Sequence, residues 1–219
     1  MPDPFDPRLI TPIVPYIEDF NPNAQIPYGV TIGHICKAMS DFVEFLRMVD
    51  TRLVEGEILR LEEMLMPANF SSMVGEFIAS TLPKYCPTIV KNVYHNGHPD
   101  ILPAGKYPRN SAQHAGADGI EIKASRYLKS WQGHNQEEVW LMVFAFEGGR
   151  PRDLISDRPL VQFRFLAVYG AMLEKSDWLF AGRTDSSRRT ITASVLPIGH
   201  EKMIQNWIYK APVNPQRQD

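Results

Sequence analysis

The sequence is poor in features that crosslink a chain or carry it into a membrane. It has two cysteines, Cys36 and Cys86, far apart and without metal-ligand spacing. They define no disulfide framework and read as small apolar side chains in a reducing compartment. No apolar run approaches the ~20 residues that span a bilayer. The first residues, Met1-Pro-Asp-Pro-Phe-Asp-Pro, lack the basic and apolar regions of a signal peptide. A cytoplasmic protein with no membrane partner is expected. There is no Walker-type glycine loop, so no nucleotide cofactor is expected. No second histidine stands at metal-ligand spacing from His134, which argues against zinc. Positive charge is not in excess either. The 23 Lys and Arg are set against 25 Asp and Glu, for a net charge of -2. That balance argues against a protein that coats nucleic acid through bulk charge. It leaves room for an enzyme that engages nucleic acid in a local cleft.

What is present is an ordinary globular composition, 44% hydrophobic and 22% charged, of a length that suits one compact domain. Residues 1–30 are proline-rich and aperiodic, and read as an extended arm lying on the surface or on a partner. Residues 31–68 read as a long helix or helical hairpin closed by Pro67. Ile35, Met39, Phe42, Leu46, Val49 and Leu53 recur in steps of four and three, a stripe suited to the chain's own core or to a dimer seam. A second helix is expected over Ser71–Leu82, with Asn69, Ser71 or Ser72 as possible caps.

The period then changes to that of strands. Thr88–Tyr94 is rich in β-branched and aromatic residues, and Asn96-Gly97 marks a tight turn. Pro99–Pro103 begins a second strand, and 105–119 is a polar loop. Ile120–Ala124 is a third strand. Val139–Phe146 is almost continuously apolar, as expected of a central strand buried on both faces. Gln162–Leu173 is a further apolar strand or strand-then-helix, Thr190–Val195 a late strand, and Met203–Tyr209 a short helix or strand. Residues 211–219 are a polar tail. Helices followed by a sheet give a mixed α/β domain, with the core over 69–210.

Three residues combine chemically. Asp100 begins one strand just after a turn, and Glu121 and Lys123 lie two apart on the next, so they share a face. If the two strands are neighbours, two carboxylates and an ammonium converge. Two carboxylates can hold a hard cation such as Mg²⁺, and the lysine can orient or activate a water and offset charge on a phosphate. Pro99-Asp100, 20 intervening residues, then Gly119-Ile-Glu-Ile-Lys-Ala resembles the P-D-x(n)-(D/E)-x-K signature of the PD-(D/E)xK nuclease superfamily. The likeness covers roughly 71–146.

That resemblance implies a restriction-endonuclease-like mixed sheet flanked by helices, with an N-terminal helical element. It implies a Mg²⁺-dependent endodeoxyribonuclease acting on double-stranded DNA as a homodimer, most simply a type II restriction enzyme, with Asp100, Glu121 and Lys123 catalytic. A repair, junction-resolving or RNA nuclease of the same fold, or a catalytically idle binding protein, are the alternatives. Glu76, on the helix before the first core strand, matches a glutamate that often joins the metal site in this superfamily, or else is a solvated helix residue. Residues after the motif strand often touch substrate. Here Ser125, Arg126, Trp131, Gln132, His134 and Asn135 fall in that segment. Arg183, Arg188 and Arg189, in a hydroxyl-rich stretch, and the loop 106–114 read either as DNA contacts or as solvated loops.

Overall fold

The computed structural model describes residues 11–133, 135–151, 153, 161–181 and 192–212. Four helices lie among them: α1 (Ile32–Glu55), α2 (Leu61–Met64), α3 (Pro67–Thr81) and α4 (Pro197–Gln205). Nine strands accompany them: β1 (Ile89–Lys91), β2 (Ile101–Pro103), β3 (Ile120–Ser125), β4 (Gln132–Gly133), β5 (Val139–Glu147), β6 (Arg164–Leu173), β7 (Trp178–Ala181), β8 (Thr192–Val195) and β9 (Trp207–Lys210). Six strands form one mixed sheet in the order β1-β2-β3-β5-β6-β9, and β4-β8-β7 form a smaller sheet. β3 and β5 run parallel, while the other pairs in the large sheet are antiparallel. The protein is therefore an α/β fold built on a mixed sheet.

β5 explains the layering. Trp140, Met142, Phe144 and Phe146 join the core shared with α1 and α3. Val139, Leu141, Val143 and Ala145 point the other way, into a second core with β7, β8 and α4. This is the strand buried on both faces that the sequence predicts.

The α1 stripe belongs to the first core. Ile35, Met39, Phe42 and Leu46 are fully buried, and Phe42 packs against Phe70, Phe77, Phe163 and Phe165. The chain's own sheet thus occupies the proposed dimer seam. The proline-rich arm is likewise engaged within the chain. Ile13 N–H bonds to Phe163 O, Asn21 N–H bonds to Ile208 O, and Phe20 is buried beside Tyr209.

The helix boundaries differ from expectation. α1 stops at Glu55, where Gly56 ends it, and Glu57 follows in the left-handed region. Pro67 opens α3 instead of closing the preceding helix. A proline has no N–H to leave unsatisfied at a helix's first turn, so this position tolerates it best. The N-cap is Met66, with no side-chain cap, rather than Asn69, Ser71 or Ser72. The region 203–209 contains the end of α4 and then β9. No helix among the described residues is long and apolar enough to cross a membrane.

Candidate active site

β2 and β3 are neighbours, joined through a single register pair, Ile101↔Ile120. Beyond it the ladder is broken by a side chain. Asp100 Oδ2 accepts the Ile122 N–H at 2.8 Å, while the Asp100 carbonyl accepts from Asn92 N–H. The carboxyl of Asp100 is thereby pinned to the backbone between Glu121 and Lys123.

Gly119 makes this approach possible. It has φ +124°, and a Cβ there would lie 2.1 Å from Ile101 O and 2.6 Å from Pro99 Cγ. Its N–H bonds to the Tyr28 hydroxyl at 2.7 Å, so the N-terminal arm also supports the start of β3.

Glu121 and Lys123 share the face opposite Ile120 and Ile122, which sit in the core under α3. Lys123 Nζ lies 2.5 Å from Glu121 Oε1. The groups converge in a cleft of about 1440 Å³, lined among others by Glu76, Lys91, Tyr94, His98, Asp100, His114, Glu121, Lys123 and Glu137.

The electrostatics follow from burial and crowding. Burial, reinforced by the charge of Glu121, holds the Asp100 carboxyl well above the ordinary carboxylate range. Burial would also raise Glu121, but the contacts with His98 and Lys123 outweigh it and hold Glu121 low. Lys123 is raised: burial opposes its charge, and Glu121 more than compensates.

Three residues that motif and periodicity do not reveal complete the site. His98 Nδ1 is 3.0 Å from Glu121 Oε2, and Nε2 is 3.0 Å from Glu137 Oε2. Burial opposes the charge on His98, but the two carboxylates push its pKa up to about 9. Asn92, itself buried, uses its amide fully. Nδ2 donates to Pro99 O and Ala112 O, and Oδ1 accepts from Ala112 N–H and Tyr94 N–H. It clamps the polar loop onto the Pro99-Asp100 segment. The one available signal was adjacency, since His98 directly precedes Pro99-Asp100 and Asn92 ends the β1 run.

The remaining expected residues separate into groups. Glu76 faces the same cleft but is exposed and paired with Lys91 at 2.9 Å. Among the described residues no three His, Cys, Asp or Glu side chains form a ready-made metal cage. Arg126 is half-buried. Its guanidinium lies between the Phe70 and Phe146 rings, at 5.3 and 5.1 Å, and donates to Gly148 O and Gly149 O. Trp131 is also buried, with its indole N–H on Tyr127 O. Ser125 Oγ accepts the Tyr127 N–H. Gln132 is exposed on β4, and Asn135 lines the same cleft as Asp100, Glu121 and Lys123. His134, Arg183, Arg188 and Arg189 lie outside the described residues. Comparison with family models, curated proteins and solved structures gave no match to this chain, so the site stands on its own geometry.

Proposed function

We propose that this chain is a Mg²⁺-dependent endodeoxyribonuclease of the PD-(D/E)xK type, with a restriction-endonuclease-like core and a type II restriction-like action on double-stranded DNA. The observation that carries this reading is the convergence of Asp100, Glu121 and Lys123 from two adjacent strands in one open cleft. The donor set fits a hard divalent cation. Glu76, Asp100, Glu121 and Glu137 line the cleft against Lys91, Lys123 and His98, and the two nearest carboxyls repel each other. Such a pair is relieved by a cation that takes oxygen ligands and keeps part of its own water shell. Asp100 and Glu121 would hold it. When bound, Mg²⁺ activates water and offsets charge on the phosphate.

The chain's own groups do the rest. Lys123, held as a donor against Glu121, places a positive charge and N–H groups beside the carboxylates. There it orients the attacking water and stabilises the phosphorane. The Asp100 anchor on Ile122 N–H keeps the first carboxylate in register with the second. Cutting both strands of a palindromic site calls for two such centres, one per subunit of a homodimer.

Plasmid DNA incubated with purified protein in Mg²⁺ or in EDTA tests the reading. Discrete fragments in Mg²⁺ alone are expected for a sequence-specific enzyme, and a smear would mark a nonspecific one. Asp100→Ala and Glu121→Ala should each abolish cutting while the protein stays folded. No cleavage in Mg²⁺ would overturn the assignment and favour the idle binding protein, and full activity in either variant would overturn the proposed centre.

A further inference from the structure

Glu121 has both carboxylate oxygens engaged, Oε1 by Lys123 and Oε2 by His98. His98 is itself held on several sides. Its ring stacks on His114, with centroids 5.6 Å apart and planes 19° from parallel. Its backbone N–H bonds to Gln113 O, and its carbonyl accepts from Ala115 N–H. The remaining ring nitrogen meets Glu137 at 3.0 Å. That approach is an ion pair rather than an aligned hydrogen bond, since Nε2 has no hydrogen-bond partner among the described residues.

Glu137 is also anchored. Its carbonyl accepts the Trp178 indole N–H at 2.9 Å, and the neighbouring Gln136 side chain donates to Trp178 O at 2.9 Å. A continuous line of contacts therefore runs from the smaller sheet, through Trp178, Glu137 and His98, to Glu121. Neither Glu137 nor His98 belongs to the motif that marks the site.

Resting on the nuclease reading, we propose that Glu137 is a positioning residue: acting through His98, it sets the orientation in which Glu121 meets the cation. Partners that touch a metal ligand directly orient it, and their loss typically weakens metal binding by ~10- to 100-fold; His98 is such a partner of Glu121, and Glu137 holds His98 from behind, so its loss belongs at the lower end of that range.

The test is calorimetric titration of the full chain with Mn²⁺, without DNA. It compares the unsubstituted protein, Asp100→Ala, Glu137→Gln, His98→Gln and the double variant, with thermal melts as controls. Glu137→Gln should weaken Mn²⁺ binding ~10-fold with an unchanged melt. In the His98→Gln background the same change should cost about twofold or less, because the two residues act as one unit. Trp178→Phe, which removes the bond to Glu137 O, should weaken binding in the same direction. If Glu137→Gln leaves affinity unchanged, if the two substitutions simply add, or if Trp178→Phe has no effect, the inference is overturned while the metal centre stands. If the unsubstituted protein shows no Mn²⁺ binding that Asp100→Ala removes, the nuclease reading and this inference fall together.

Discussion

At the scale of single residues, the proposed nuclease function can be separated into chemistry and binding. Lys123 lies on the Glu121 face at 2.5 Å from its carboxylate, well inside the cleft. Its contribution should be largest in the transition state, where charge on phosphorus is greatest. Lys123→Ala is expected to slow single-turnover cleavage ~100-fold or more. DNA affinity measured with Ca²⁺ in place of Mg²⁺ should change little. Loss of binding with normal cutting at saturating protein would make Lys123 a phosphate clamp instead. Tyr94 contrasts with it. It is exposed at the cleft, on a turn that Asn92 fixes through the Tyr94 N–H. Tyr94→Ala should weaken DNA binding in Ca²⁺ and leave the single-turnover rate at saturation within about twofold, since a rim contact acts mainly in the bound complex.

At the scale of elements, one junction decides whether the site forms and another sets how stability varies with pH. The first is Gly119, where any side chain collides with Ile101 O and φ is unfavourable for L residues. Gly119→Ala should separate β2 from β3, destabilise the protein by ~2 kcal/mol or more, and abolish metal-dependent cutting, as thermal melts and cleavage assays would show. The second joins α2 to the turn after β5. Asp50, Glu62 and Glu63 are buried around Arg60, and Glu62 Oε1 accepts the Gly149 N–H. Burial pushes the Glu62 pKa from 4.5 to about 7, with Arg60 only partly opposing it. Three carboxyls around one guanidinium leave one to carry a proton. The folded chain therefore holds that proton more tightly than the unfolded chain does. The resulting stabilisation is complete below about pH 4.5 and is lost as pH rises through about 7. Glu62→Gln should match the unsubstituted protein in acid and exceed it above neutrality, by on the order of 3 kcal/mol. Equal pH profiles in denaturant melts would show that Glu62 titrates normally.

At the scale of the whole molecule, the sequence discloses what periodicity encodes. β5 is legible because eight apolar residues in a row suit a strand covered on both faces, and Glu121 with Lys123 because alternation puts them on one side. The ending of α1 and the role of Pro67 are less legible, because glycine and proline punctuate without saying which side they belong to. The setting of Arg126 is not legible because the rings that enclose it, Phe70 and Phe146, are far from it in the chain. His98, Asn92 and Glu137 are silent in one dimension for the same reason, since the folding of loops brings His98 to Glu121, Glu137 to His98 and Asn92 to the Pro99-Asp100 segment. The α1 stripe is spent on the chain's own sheet, so Leu46→Ala should lower the melting temperature, with a loss of ~2–5 kcal/mol, and leave the mass by light scattering unchanged. The single pair between β2 and β3 has a last consequence. β3 is tied to β5 along its whole length through six register pairs, whereas Asp100 depends on one pair and the Asn92 clamp. Even with its own bond to Ile122 N–H, the Asp100 segment has fewer ties than β3, so the two carboxylates belong to parts of unequal resistance to opening. Amide exchange should be slow throughout β3 and β5 and faster around Asp100 and Ile101, so mild denaturant would dismantle half of the centre while the core remained closed.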